Sequence, residues 1–138
     1  MIMRGYRFWD VKRNCYAPDD DFRITYKGEW ATRLCSKYAG YKGEDIIAEQ
    51  STGLSDKNGK EIYEGDIVVF YFDADIGILE DWDEDKSEYT KMVDVVDFVK
   101  GCFVFTSDID LCTYAHRYNN VCEAVGNIHE NPELLNAR

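Results

Sequence analysis

Basic charge is scarce in this sequence. Sixteen Lys and Arg stand against 27 Asp and Glu, a formal net charge of −11. Such a balance favours solubility and repels nucleic-acid phosphates, so direct binding to nucleic acid is disfavoured. Arg4, Arg7, Lys12 and Arg13 make a modest basic patch near the start, read as a solvated strand face. Long apolar runs are also missing. Nothing approaches the roughly 20 residues that a membrane-crossing helix needs, and no membrane association is expected. Histidine is limited to His116 and His129. The GxSxG, HExxH, P-loop and GxGxxG patterns are all absent, so no hydrolase, zincin or nucleotide-binding class is indicated. Cysteines number five, an odd count with wide spacings and no CxxC. Met1 leads into Arg4 and a charged segment rather than an apolar signal stretch. Reduced, partly buried thiols in a cytoplasmic protein are the expectation.

What is abundant points to β structure. Ten Tyr, seven Phe and three Trp suit a chain whose aromatics pack across strands. The densest local signal is STGLSDKNGKEIYEGDIVVFYF, residues 51–72. Asn58-Gly59 predicts a two-residue type I′ hairpin, with positive φ at both positions, joining Thr52–Lys57 to Lys60–Glu64. Glu64-Gly65-Asp66 predicts a second turn. Ile67–Phe72 is six consecutive β-branched or aromatic residues, a strand covered on both faces.

Elsewhere the reading is coarser. Residues 3–9 alternate and predict a strand with Tyr6 and Phe8 inward. Ala17–Asp21 is a turn, and Phe22–Lys27 a strand ended by Gly28. Trp30, Leu34 and Tyr38 fit one helical face at i, i+4, i+8, while the neighbouring turn residues fit a hairpin equally well. Met92–Val99 and Cys102–Thr106 predict a hairpin around Lys100-Gly101. Ser107–Asn120 reads as a short helix, with Ser107 as cap and Leu111, Ala115 and Tyr118 on one side. Val121–Ile128 is the last strand, followed by a helical turn with Asn131 as cap and Pro132 first.

Three segments resemble the YopX-like proteins of phages and prophages. They are Tyr6-Arg7-Phe8-Trp9-Asp10, then Thr52-Gly53-Leu54 with Asp56–Val68, then Ala124–Leu135, AVGNIHENPELL. His129 stands where Tyr is more usual. The resemblance implies a mostly β fold with a small SH3-like β-barrel, an N-terminal β extension and one or two short helices. Residues 1–50 would form an N-terminal β lobe packed on the barrel, and residues 51–138 the barrel lobe, unless the whole is one compact domain. It also implies a gene of a phage or prophage and the bacterial cytoplasm as working compartment. No catalytic residue comes with it.

The remaining candidate is an acidic insertion, residues 73–88, with eight carboxylates and one Lys. Asp73, Asp75, Asp81, Trp82, Asp83, Glu84 and Asp85 are the interaction-surface candidates, because long loops between strands often carry contacts. Asp81, Asp83 and Asp85 alternate and are weak candidates for Ca²⁺ or Mg²⁺. The EF-hand likeness of Asp73-x-Asp75 with Glu84 fails, since Gly77 stands where a ligand belongs and Ile78 where the turn needs glycine. Cys112, His116, Cys122 and His129 match no compact zinc spacing. A self-repelling, solvated loop is the expected state, with no metal and no cofactor. Glu64–Val68, Gly126-Asn127 and Trp9-Asp10 are explained by turn chemistry and core packing. The expected function is a non-enzymatic module that binds a host or phage protein. The alternative is an acidic DNA mimic acting on a protein of the nucleic-acid machinery. Homo-oligomers through strand edges fit either.

Overall fold

The structure, a computed structural model, describes residues 5–73, 77–78, 90–99, 102–105, 113–114 and 121–137. The described residues are mostly β strand and contain no α-helix. The chain divides into two compact units, Met1–Ser51 and Thr52–Arg138.

In the first unit β1 (Tyr6–Asp10) lies between β2 (Cys15–Tyr16) and the start of β5 (Ile46–Ser55), antiparallel to both. A separate hairpin pairs β3 (Arg23–Ile24) with β4 (Trp30–Ala31). Phe8, Phe22, Tyr38 and Ile46 form the core, ringed by Ala17, Ile24, Trp30, Tyr41 and Ala48. Phe22 organises it. Its ring meets Phe8 at 5.5 Å, Tyr38 at 4.4 Å and Trp30 edge-on at 5.3 Å, close enough for each pair to add about 0.5–1.5 kcal/mol beyond area burial. The predicted inward face of β1 is corrected: Phe8 is buried but Tyr6 is exposed, and Trp9 is buried as well. Trp9 packs edge-on against Tyr16 at 4.9 Å, which covers the second face of the strand.

The second unit contains β6 (Glu61–Tyr63), β7 (Asp66–Asp73), β8 (Gly77–Ile78), β9 (Thr90–Val99), β10 (Cys102–Phe105), β11 (Thr113–Tyr114) and β12 (Glu123–Asn127). Its main sheet runs β11-β10-β9-β7-β12, with β8 also paired to β7. Strand β7 is central, and its alternation divides two cores. Val68 and Phe70 join Ile62, Val96, Phe105 and Cys122. Ile67 and Val69 join Val93, with Leu134 and Leu135 of the terminal 3₁₀ helix Pro132–Ala137 laid against them. Burying each of these β7 side chains contributes about 1.5–3 kcal/mol. The apolar run Ile67–Phe70 is therefore continuous for the expected reason: both faces are covered.

The hairpin after β5 differs from its prediction. Among non-glycine residues described, only Asn14 has positive φ, so Asn58 does not. Gly59 does, at φ 83°. Asp56 N donates to Lys60 O at 2.8 Å and Gly59 N to Asp56 O at 3.0 Å. This is a three-residue loop, a type I turn closed by a glycine bulge. The hairpin between β3 and β4 repeats the pattern: Thr25 N donates to Glu29 O, Gly28 N to Thr25 O, and Gly28 has φ 79°. In both, the first residue's side chain accepts from the N–H two residues on, Thr25 Oγ1 from Lys27 and Asp56 Oδ1 from Asn58. That Asx or ST contact favours the type I form over type I′.

One open alternative is decided and one expectation is revised. The ambiguous Trp30–Tyr41 segment is a hairpin strand followed by turns, with a Tyr38 N to Leu34 O bond that does not propagate. Within the expected helix 107–120, Thr113–Tyr114 is instead strand β11, opposite Phe105 and Val104, because the β10 edge offers paired backbone partners. The rest of that segment lies outside the described residues. The β9–β10 hairpin follows its predicted register, Val99 opposite Cys102.

Candidate functional site

The densest polar cluster is in the first unit, where short loops are tied to buried carboxylates. Asp10, 1 % exposed, ends β1. Its carboxylate accepts from Arg13 N at 2.9 Å, which caps the turn, and from the Tyr41 hydroxyl at 2.8 and 2.9 Å. Asp21, also buried, accepts from Lys37 Nζ at 2.7 Å and from the Tyr38 hydroxyl. Arg13 bridges the two halves. Its guanidinium lies over Tyr38 at 4.8 Å and Tyr41 at 5.7 Å and donates to Lys37 O at 2.8 Å. Lys12 sits over Tyr41 at 4.8 Å and 3.5 Å from Asp45. On the other side of β1, Glu49 accepts from Arg7 Nε at 2.9 Å and from the Tyr16 hydroxyl at 2.8 Å, with the Arg7 guanidinium 4.6 Å from the Tyr16 ring. Lys12 and Arg13 are solvent-exposed as expected but lie in the turn after β1, while Arg7 on β1 is only partly exposed. They are half of a stacked, ion-paired network.

Three groups of this cluster have shifted pKa values. Burial and the hydrogen bond to Asp21 push the Tyr38 hydroxyl up to about 12. Burial and Asp10 raise Tyr41 likewise. The hydrogen bonds from Lys37 and Tyr38 hold Asp21 below the ordinary carboxylate range. The two phenols are therefore donors and Asp21 an acceptor at neutral pH. The shifts move these groups away from pH 7, opposite to what a proton-transferring acid or base needs. The chemistry this arrangement performs is mechanical: it straps residues 32–45 to β1 and to the turn before β3.

The sequence-derived candidates fall differently. Asp73 is the last residue of β7. Asp75, Asp81, Trp82, Asp83, Glu84 and Asp85 lie outside the described residues, as do Cys112 and His116. Cys122 is fully buried in the second unit, and burial pushes its thiol up to about 12, far from a metal-binding thiolate. Cys15, Cys35 and Cys102 are exposed free thiols, against the expectation of partial burial. Among the described residues no three His, Cys, Asp or Glu gather into a metal-sized group. Asp66 accepts from Tyr63 N at 2.8 Å, the turn role expected of it.

Sequence reasoning missed the Asp10, Asp21, Tyr38 and Tyr41 cluster. Its partners are 16 to 31 residues apart with no spacing rule linking them. It also missed Asp94, a fully buried carboxylate on β9 opposite Val68. The closing motif, by contrast, is explained in detail. Asn127 Oδ1 accepts from His129 N at 3.0 Å and Glu130 N at 2.9 Å, and its Nδ2 donates to Glu130 Oε1 at 2.9 Å. Asn131 N donates to Asn127 O at 2.9 Å, while Asn131 Oδ1 accepts from Asn127 N at 3.3 Å. The Asn131 side chain reaches back to this turn.

Comparisons with known proteins agree on family and fold. No curated protein matches the chain. Solved structures do, two of them as follows. Protein EF1440 from Enterococcus faecalis is 24 % identical, with a TM-score of 0.57 over 98 % of this chain and 99 % of that one. Protein yopX from Bacillus subtilis is 23 % identical, with a TM-score of 0.60 over 95 % of each. At these identities the likeness speaks for the fold. The family model described as YopX protein matches residues 5–136. With that match running from β1 through the terminal 3₁₀ helix, the chain belongs to the YopX family.

Proposed function

We propose that this chain is a non-enzymatic phage or prophage accessory protein of the bacterial cytoplasm that binds another protein, of host or phage origin, through its acidic insertion. The observation that carries this reading is the footing of the insertion. Phe72 pairs with Thr90 of β9 and with Ile78 of β8, so the described ends of the segment that joins β7 to β9 are held by strand pairing. The sequence between β7 and β9 carries eight carboxylates in residues 73–88. Such a concentration of one sign steers and selects a basic partner surface. The cluster of Tyr38 and Asp21, tuned away from neutral pH, supports a structural use of the first unit's polar groups rather than a catalytic one. An SH3-like barrel in residues 51–138 is part of the same proposal, supported by the antiparallel order β11-β10-β9-β7-β12. Affinity purification from the bacterial host, read by mass spectrometry, tests it. The expected result is a specific protein that is lost when Asp81, Asp83, Glu84 and Asp85 are neutralised to Asn and Gln. Unchanged capture by the neutralised variant removes the insertion from the mechanism. The −11 charge favours a second reading, a DNA mimic. It requires that the captured protein bind duplex DNA and that DNA compete for it.

A further inference from the structure

A second surface, in the first unit, has the chemistry of a cation receptor. A hollow of about 610 Å³ is lined by Glu29, Trp30, Tyr41, Gly43, Ile46 and Ala48. Both aromatic walls are locked through their polar ends. Trp30 Nε1 donates to Gly43 O at 3.0 Å, and the Tyr41 hydroxyl is held by Asp10. Trp30 Nε1 and the Tyr41 hydroxyl are thus already engaged as donors within the unit. Trp30 is further braced by the edge-on contact with Phe22. The acidic side chain on the rim is Glu29, at the exposed end of the β3–β4 hairpin. Its carboxylate makes no hydrogen bond or ion pair among the described residues. No Lys or Arg lines the hollow. The chain already shows cations seated on this kind of surface, Lys12 over Tyr41 and Arg13 over Tyr38.

From these observations we propose that the Trp30–Tyr41 hollow is a docking site for an arginine side chain of a partner protein. A planar guanidinium stacks on an aromatic face and keeps in-plane donors for a carboxylate. Trp30 supplies the face and Glu29 the acceptor. The rigid walls reduce the ordering cost of binding, and the net charge of −11 favours approach of a cationic segment. This inference does not depend on the acidic insertion.

Two substitutions isolate the site. Glu29→Gln removes the charge with no change of shape. Gly43→Leu fills the hollow: a Cβ at Gly43 meets nothing within 4 Å, and the carbonyl that holds Trp30 is kept. The measurement is a low-salt NMR titration of the full chain with a blocked tetra-arginine peptide, read at the Trp30 indole N–H, with tetra-glutamine as control. A saturable shift is expected for tetra-arginine alone. Affinity falls at least about threefold in Glu29→Gln, the scale of one exposed charge contact, and the shift is lost in Gly43→Leu. The variant neutralised at Asp81, Asp83, Glu84 and Asp85 keeps the Trp30 response, which separates this site from the insertion. The proposal is overturned by no saturable shift, by wild-type affinity in Glu29→Gln, by wild-type affinity in a folded Gly43→Leu, or by loss of the response in the neutralised variant. A Trp30 shift that follows protein concentration without peptide assigns the hollow to a second copy and equally overturns it. Should Gly43→Leu fail to fold, Glu29→Gln decides.

Discussion

Gly126 has no room for a side chain. A Cβ built there falls inside Asn131, 2.8 Å from its Cβ, so the turn itself and not a flexible tip must move. Gly126→Ala is therefore expected to lower stability by about 1–3 kcal/mol, read as a shift of the urea midpoint at constant slope. Asp56 is a comparable point. Its two oxygens accept from Asn58 N, Lys60 N and Ala124 N, each at 2.9 Å, and Ala124 is buried on β12. Asp56→Ala strands that donor and is expected to cost about 2–3 kcal/mol, with Asp56→Asn milder because an acceptor remains. The sequence reads this glycine as part of a turn, whereas it lies in β12 at a register shift just before one. The reach of Asp56 across 68 residues to Ala124 was not legible, because no local pattern encodes a tertiary hydrogen bond.

At the scale of elements, the hairpins give the sharpest distinction. A type I′ turn would make Asn58 adopt positive φ, and Asn58→Ala would then be costly. In the observed loop Asn58 is ordinary backbone and Gly59 carries the positive φ. Asn58→Ala is expected to change stability by less than about 0.5 kcal/mol, whereas Gly59→Ala costs about 1 kcal/mol or more. Comparable losses in the two variants would restore the type I′ turn. The Asn-Gly pair announced a hairpin correctly. The type was set by Asp56 two residues earlier, a capping contact that the pair alone does not contain. The strap over residues 32–45 makes a pH prediction. The Tyr38 hydroxyl is held near 12 against an ordinary 10, so its contribution is complete below about pH 10 and is lost as pH rises toward 12. Asp21 acts at the other end: its lowered value supplies stability above the ordinary carboxylate range that disappears as pH falls through its folded value. Thermal unfolding across pH 9–12 is expected to show the alkaline loss, and Tyr38→Phe to reduce it while lowering the neutral-pH stability by about 1–2 kcal/mol. An unchanged alkaline limb in Tyr38→Phe would count against the strap.

At the scale of the whole molecule, the β-rich character was legible from the aromatic content, the Ile67–Phe72 run and the three YopX-like segments. The central strand β7 sits where that run placed it, with Ile67 and Val69 on one core and Val68 and Phe70 on the other. What could not be read was the first unit's polar wiring. Arg7, Lys12 and Arg13 read as a surface patch, and only the fold brings Glu49, Tyr41 and Tyr38 to them. Nor does a helical spacing such as Trp30, Leu34 and Tyr38 survive when a backbone partner across a hairpin is available to Trp30. The resulting molecule, on our reading, is a scaffold whose first unit pairs its charges internally, while the sequence concentrates carboxylates in residues 73–88 of the second. That reading is tested most directly by the salt dependence of affinity for the captured partner, with the wild-type chain and the Asp81, Asp83, Glu84 and Asp85 neutralised variant measured side by side. An affinity that falls steeply with salt in the wild type, and is weaker and flatter with salt in the variant, is the predicted result. Equal affinities with equal salt slopes would contradict it.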